Sequence, residues 1–168
     1  MPITIKSTVN AGLALCLSAL AALCANAQTT DSEIADPART PGMLDPRVTS
    51  ENMDDTICVP GYTKTVRPRP SYTNNLKASQ MERWGLEGTA ADYEEDHRVP
   101  LCIGGHPRST KNLWPQPRAG TWNAAAKDQL ETSVCRAVCM GDMTLDAGQA
   151  VFLAPDWREE YRKFFNDQ

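Results

Sequence analysis

The sequence predicts an α+β domain, and the arrangement of three segments supports this fold class. Residues 93–103 have the pattern of a strand, and the short segment 112–114 follows a Gly-Gly turn as a second strand. Thr121 can cap a helix over residues 122–138, where apolar side chains recur at helical spacing. The order strand, turn, strand and helix predicts a core that spans residues 93–139.

Further elements are predicted on both sides of this core. Residues 56–66 alternate loosely and indicate a short strand or hairpin, and residues 75–84 indicate a helix that ends at Gly85. Thr144 can cap a further helix, and Pro155 can begin a last one. The predicted domain therefore has an extra N-terminal strand and helix and also C-terminal helices.

The first 27 residues have the features of a signal peptide. Lys6 supplies a basic start, an uncharged apolar run covers residues 11–24, and Ala25-Asn26-Ala27 offers a cleavage site. Residues 28–50 are polar and contain several prolines, which predicts a flexible segment before a domain at residues 51–168. We expect a secreted or periplasmic protein without stable membrane association, and the alternative is an uncleaved membrane anchor.

Four cysteines lie outside the predicted signal peptide: Cys58, Cys102, Cys135 and Cys139. An even number in an exported chain indicates two disulfides, for which four cysteines allow three connectivities. Cys135 and Cys139 lie one turn apart on one predicted helix, where they are poorly placed to bond each other. The preferred pairing is Cys58 with Cys139 and Cys102 with Cys135, and the alternative is a four-cysteine zinc site.

Charge is distributed unevenly along a chain whose formal net charge is −4. Glu94, Glu95 and Asp96 immediately precede His97, one of only two histidines. Basic residues are concentrated in residues 62–84 and 98–136, on both sides of this acidic run. The pattern fits either an ordinary solvated surface or a track for a polyanion that leads to a site able to hold a cation.

The stretch from residue 93 onwards resembles the HNH endonucleases, whose core is the ββα-metal or His-Me finger fold. The residues that carry the resemblance are Asp96-His97, Pro100, Gly104-Gly105, Asn112-Leu113 and Asn123-x-x-x-Lys127. It covers residues 93–131, and the surrounding sequence is similar to small exported bacterial HNH proteins. The resemblance implies a ββα-metal core that hydrolyses phosphodiester bonds.

The roles of the family carry over to particular residues of this chain. The resemblance makes His97 the general base, Asp96 and Asn123 the ligands of one divalent metal, and Asn112 the side chain that orients the loop holding His97. The most familiar family pattern has histidine where Asn123 stands, and two oxygen ligands favour Mg²⁺ or Mn²⁺, with Zn²⁺ as an alternative. The side chains expected to contact nucleic acid are Lys127, Arg98, Lys111, Arg67 and Arg69.

Together these features predict an exported, metal-dependent endonuclease that acts on nucleic acid, DNA rather than RNA. A strong cation site suits chemistry on the phosphate backbone, and few aromatic residues lie between the basic ones to stack on bases. Two alternatives stay open: a non-catalytic, disulfide-stapled binding module on the same scaffold, and a nuclease toxin delivered to a competitor. Only the toxin requires an immunity protein as a partner.

Overall fold

The computed structural model describes Met1 and residues 33–166, without the side chain of Asn166. These residues form an α+β domain with five α-helices and one two-stranded sheet, which confirms the predicted α+β class, while the ββα-metal core stays a prediction. The helices and strands are α1 (Tyr62–Val66), α2 (Pro70–Trp84), β1 (Tyr93–His97), β2 (Leu113–Pro117), α3 (Ala124–Met140), α4 (Leu145–Leu153) and α5 (Trp157–Asn166). Short 3₁₀ turns lie at Met53–Asp55 and Leu101–Ile103.

Strands β1 and β2 pair antiparallel, with His97 opposite Leu113. The prediction that Pro115 and Pro117 end the second strand is wrong, because both lie within β2. Prolines two residues apart leave the same edge of a strand without N–H donors, so the other edge can still pair with β1. The prediction that the first strand runs to Ile103 is also wrong, since β1 ends at His97 and a 3₁₀ turn follows.

Residues 56–66 form no strand, contrary to the prediction, but turns followed by the short helix α1. Gly61 enters α1 with a φ of 89°, a left-handed conformation that suits a turn into a helix rather than an extended run. Helix α2 starts at Pro70, well before the predicted start at residue 75, because proline is well suited to the first helical position. It ends as predicted before Gly85, which has a φ of 64°.

The hydrophobic core lies between the sheet, α3 and the C-terminal helices. Leu130, Val134 and Val138 of α3 are fully buried and belong to one cluster with Ile103 and Phe152. Burial of an apolar side chain of this size stabilises a fold by about 1.5–3 kcal/mol. This packing holds α3 in place next to the sheet.

The ends of α3 and α4 follow local sequence signals. Helix α3 starts later than predicted because Asn123, and not Thr121, caps it by accepting the N–H of Ala126 (3.0 Å). Gly141 ends the helix in the left-handed conformation, as predicted. Thr144 caps α4, which confirms the prediction for this position.

Residues 33–50 contain no regular helix or strand, but several of their side chains are buried in the domain: Ala35, Thr40, Asp45 and Val48. Apart from Met1, the predicted signal peptide and the start of the predicted flexible segment lie outside the described residues. Within the described part of the chain, no helix has the length and apolar character needed to cross a membrane.

Two disulfides fasten other parts of the chain to α3. Cys58 bonds Cys139 with 5.4 Å between their Cα atoms, and Cys102 bonds Cys135 with 5.7 Å. The preferred pairing is therefore confirmed, and all four cysteines are used in these bonds rather than in a zinc site. Because Cys58 precedes α1 and Cys102 follows β1, the bonds hold both of these regions against one helix.

Removal of either disulfide is expected to destabilise the protein by about 2–5 kcal/mol, as is usual for small secreted domains. The bond Cys58–Cys139 closes the longer loop, with a sequence separation of 81 against 33. In the chain-entropy relation its loss should cost about 0.8 kcal/mol more than loss of the other bond. Urea unfolding of the two Cys→Ser double variants measures both effects, and four free thiols in oxidised protein by mass spectrometry would contradict the pairing.

Candidate active site

A buried asparagine closes the loop between the two strands. The Oδ1 atom of Asn112 accepts the N–H of Val99 (2.9 Å), and its Nδ2 donates to the backbone oxygens of Val99 (3.0 Å) and His106 (3.1 Å). The backbone oxygen of Asn112 accepts the N–H of Arg98 (2.7 Å). Beyond His97, the hydrogen bonds of the Asn112 side chain take the place of further backbone pairing between the two strands, so β1 ends at His97. Because these bonds reach Val99 and His106, Asn112 holds both ends of the loop.

His97 is the last residue of β1, and only 3% of its surface is exposed. Its Nε2 lies 3.0 Å from the backbone oxygen of Pro107. Because a carbonyl oxygen can only accept, Nε2 carries the proton and Nδ1 is the nitrogen with the lone pair. Burial lowers the pKa of His97, although nearby Asp96 acts in the opposite direction. The ring is therefore neutral at pH 7.

The cation beside Asp96 in this structure is the ammonium group of Lys127, which is only 1% exposed. Its Nζ donates to Oδ2 of Asp96 (2.7 Å) and to the backbone oxygen of His97 (2.8 Å), and it also pairs with Glu131. Burial acts to lower the pKa of Lys127, but the two carboxylates outweigh it and raise the pKa above its ordinary value. Lys127 therefore stays charged, and its three donors are all used within the fold.

Asp96 and His97 are neighbours on a regularly paired strand, so their side chains leave on opposite faces of the sheet. Asp96 contacts α3 through Lys127, whereas His97 contacts the connecting loop through Pro107. The structure therefore does not bring the predicted metal ligand and the predicted base to one point.

The two predicted metal ligands are both used inside the fold. One oxygen of Asp96 binds Lys127, and Asn123 caps α3 with its Oδ1 while its Nδ2 donates to the backbone oxygen of Gly120 (3.0 Å). Across residues 33–166, no three His, Cys, Asp or Glu side chains are grouped so that they could hold a metal ion. As arranged here, Asp96 and Asn123 do not fit a divalent metal.

Of the five basic side chains expected to contact nucleic acid, two lie in the interior. Arg98 is buried, and its guanidinium donates to the backbone oxygen of Thr40 (2.7 Å) and to three backbone oxygens at the end of α4. Arg98 and Lys127 therefore direct their charges to groups of the fold, and their contact with nucleic acid stays a prediction. The other three, Arg67, Arg69 and Lys111, are exposed, and their contact with nucleic acid stays a prediction.

Glu131 and Arg118 are two charged side chains of this region to which the sequence patterns assigned no role in the site. Glu131 shares the buried ammonium of Lys127, and Arg118 pairs with Glu94 (3.1 Å). The i, i+4 spacing of Lys127 and Glu131 indicated the pair, but an exposed pair has the same spacing. Burial decides the role of Lys127 and Glu131, and sequence spacing does not indicate burial.

Asn112→Ala is expected to destabilise the protein and to lower any activity that depends on His97. Each buried backbone group that loses its partner costs about 1–3 kcal/mol, and Asn112 satisfies both groups of Val99 and the oxygen of His106. Urea unfolding measures the change, with Asn75→Ala, an exposed asparagine on α2, as the matched control. Equal stability of the two variants would contradict the assigned role.

No protein-family model, curated protein or solved structure matches this chain. The resemblance to HNH endonucleases therefore rests on the quoted residues alone, and a function has to be inferred from the geometry of the site.

Proposed function

We propose that this chain is an exported hydrolase of phosphodiester bonds that acts on nucleic acid, DNA rather than RNA, with His97 as its general base. The proposal is carried by the state of His97: a buried, neutral imidazole with one nitrogen fixed by Pro107 and the other able to accept a proton. Asn112 holds the loop that supplies this carbonyl. A general base must be unprotonated and held in a defined orientation before it can act.

In the proposed reaction, Nδ1 of His97 takes a proton from a water molecule as that water attacks phosphorus and the bond to the leaving oxygen breaks, and the leaving oxygen takes a proton from solvent water. Burial is the main cause that lowers the pKa of His97, and the charge of Arg67 adds to it, so a phosphate bound to Arg67 lies within electrostatic range of the base. A guanidinium can neutralise the charge that develops on the phosphate oxygens. The two disulfides are consistent with export, because such bonds persist in oxidising compartments.

The requirement for a divalent metal stays a prediction drawn from the resemblance. No step of the proposed reaction is assigned to a metal, because Asp96 and Asn123 are already used within the fold. Lys127 supplies the positive charge next to Asp96 instead. Dependence on Mg²⁺, Mn²⁺ and Zn²⁺ is therefore a separate measurement in the cleavage assay.

A non-catalytic binding module is the second candidate function. It is favoured by the burial of His97 and by the ion pair that already neutralises Asp96. In such a module the exposed residues Arg67, Arg69 and Lys111 bind the phosphate backbone without cleaving it. A delivered toxin shares the chemistry of the hydrolase and differs in having an immunity protein as a partner.

The test is cleavage of supercoiled plasmid DNA and of RNA by the full, disulfide-bonded chain. Parallel reactions contain Mg²⁺, Mn²⁺, Zn²⁺ or a chelator, and an electrophoretic shift assay measures binding in each. Conversion of the plasmid to nicked and linear forms supports the hydrolase. Binding without cleavage under every condition supports the binding module and overturns the hydrolase, and cleavage of RNA alone overturns the preference for DNA.

A further inference from the structure

A groove lined by several polar side chains lies between α2 and the sheet. The segment that precedes α2, which contains Arg67, forms part of its wall. The volume of the groove is about 180 Å³. On the same measure one water molecule needs only about 10–15 Å³, so the groove can admit a ligand much larger than a water molecule. The lining side chains that matter for recognition are Arg67, Asn74, Glu94, Glu95 and Arg118.

One part of the groove is cationic. Arg67 is exposed, and within the described part of the chain its guanidinium has no hydrogen-bond or ion-pair partner. Arg118 is about half exposed and donates to Glu94 (3.1 Å) and to the backbone oxygen of Tyr93 (3.3 Å). An arginine without an internal partner is free to bind a phosphate through two parallel hydrogen bonds. The guanidinium of Arg67 is therefore available to bind an anion.

The remaining lining offers hydrogen-bond acceptors and an amide. Glu94 is partly exposed. Both carboxyl oxygens of Glu95 are buried, and burial raises the pKa of Glu95 to about 8, so this group is neutral at pH 7. Asn74 is exposed, and its amide can both donate and accept. The carboxylate of Glu94 repels a bare anion, so a site for inorganic phosphate alone gains nothing from it. The combination fits a ligand with an anionic end and a second end that carries hydrogen-bond donors.

Arg67, which lines the groove, also acts at longer range. Its charge acts on Glu94, on Asp128 of α3 and on His97, so its guanidinium lies within electrostatic range of these side chains. An anion held by Arg67 is therefore within electrostatic range of the proposed base.

We propose that this groove binds one nucleotide of the substrate strand, with its phosphate on Arg67 and Arg118 and its base on Asn74 and Glu94. The inference rests on the proposed function, because it places the nucleotide beside the phosphodiester bond that His97 is proposed to cleave. Carboxylate and amide side chains pair with the exocyclic amino groups of bases, which inorganic phosphate lacks. The groove then positions the strand for attack.

Isothermal titration calorimetry on the full, disulfide-bonded chain tests this with three separate probes: deoxyadenosine 5′-monophosphate, inorganic phosphate and deoxyadenosine. The mononucleotide should bind at least about tenfold more tightly than either fragment, because it engages both ends of the groove. Arg67→Gln should weaken mononucleotide binding by about tenfold or more, as expected for the loss of a charge-assisted hydrogen bond. The matched control is Arg83→Gln, which removes the same charge from an exposed arginine on α2 that lies outside the groove lining and is not among the predicted contacts with nucleic acid, so this variant should bind like the parent.

Equal effects of Arg67→Gln and Arg83→Gln overturn the proposal, and so does inorganic phosphate that binds as tightly as the mononucleotide. Failure of the proposed function has a different signature: the parent binds the mononucleotide through Arg67 but cuts neither DNA nor RNA. If the parent cleaves nucleic acid but Arg67→Gln binds the mononucleotide as tightly as the parent, the proposed function is retained and the groove is not a nucleotide subsite. Circular dichroism melting verifies that each variant is folded, which is expected because both arginines are exposed.

Discussion

His97→Ala is expected to reduce the rate of plasmid cleavage by about 10²–10⁴-fold, the usual contribution of a general base. The variant removes the imidazole that takes the proton from water, while Asn112 still holds the loop through Val99 and His106. Nicking at saturating DNA measures the rate, and the shift assay should give DNA affinity close to that of the parent. A large loss of rate with intact binding is the pattern that a base produces.

Because His97 is buried, loss of its ring can also lower stability, and a second variant separates the two effects. His97→Gln keeps an N–H donor for the backbone oxygen of Pro107 but cannot act as a base. It should be more stable than His97→Ala and equally inactive. His106→Ala is the control, since His106 uses its Nδ1 to accept two backbone N–H groups within its own turn. A folded His97→Gln protein that cuts at the parental rate would exclude His97 as the base.

The pH dependence of cleavage follows from the same residue. Burial holds the pKa of His97 below its ordinary value of 6.5. The neutral ring, which is competent as a base, is the main form above this pKa, and activity is lost as the pH falls through it. Values of kcat/KM between about pH 5 and 8 should therefore be level at the neutral end and fall only at the acidic end. An acidic limb that begins above neutral pH would contradict the assignment.

Lys127→Met is expected to lower the free energy of unfolding by about 3–5 kcal/mol, the cost of breaking a buried ion pair by removing one partner. The substitution leaves the carboxylates of Asp96 and Glu131 close together without their cation, and the backbone oxygen of His97 loses a donor. Urea unfolding measures the change. Lys64→Met on α1 is the matched control, because Lys64 is exposed and its loss should alter stability by no more than about 0.5 kcal/mol.

The same variant distinguishes the buried role of Lys127 from the predicted contact with phosphate. A lysine that contacts DNA contributes to the salt dependence of binding, so its removal weakens affinity and makes that dependence shallower. Since Lys127 is enclosed, folded Lys127→Met should bind DNA with the affinity and salt dependence of the parent. If Lys127→Met is as stable as the parent but binds DNA more weakly and with a shallower salt dependence, Lys127 contacts phosphate at the surface.

Several features could be predicted from the sequence because each depends on the conformation of one or two residues. Gly85 and Gly141 end helices in a left-handed conformation that glycine adopts without strain, and Thr144 caps α4 with its hydroxyl. A similar restriction excluded one of the three disulfide connectivities, since Cys135 and Cys139 on one helical turn are poorly placed to bond each other, but it did not decide between the other two. The ends of several helices were therefore accessible from local pattern, whereas helix α1 and the starts of α2 and α3 were not.

The roles of the charged residues were decided only when the chain folded. Lys127 and Glu131 have the spacing of an exposed pair, but packing of α3 next to β1 encloses the ammonium together with Asp96. Arg98 follows directly after His97, yet it binds the end of α4, with a partner 54 residues along the chain. The local sequence pattern does not show whether a charged side chain is buried or which distant residues it contacts. Burial and these contacts determine whether the charge stabilises the interior or can reach a ligand.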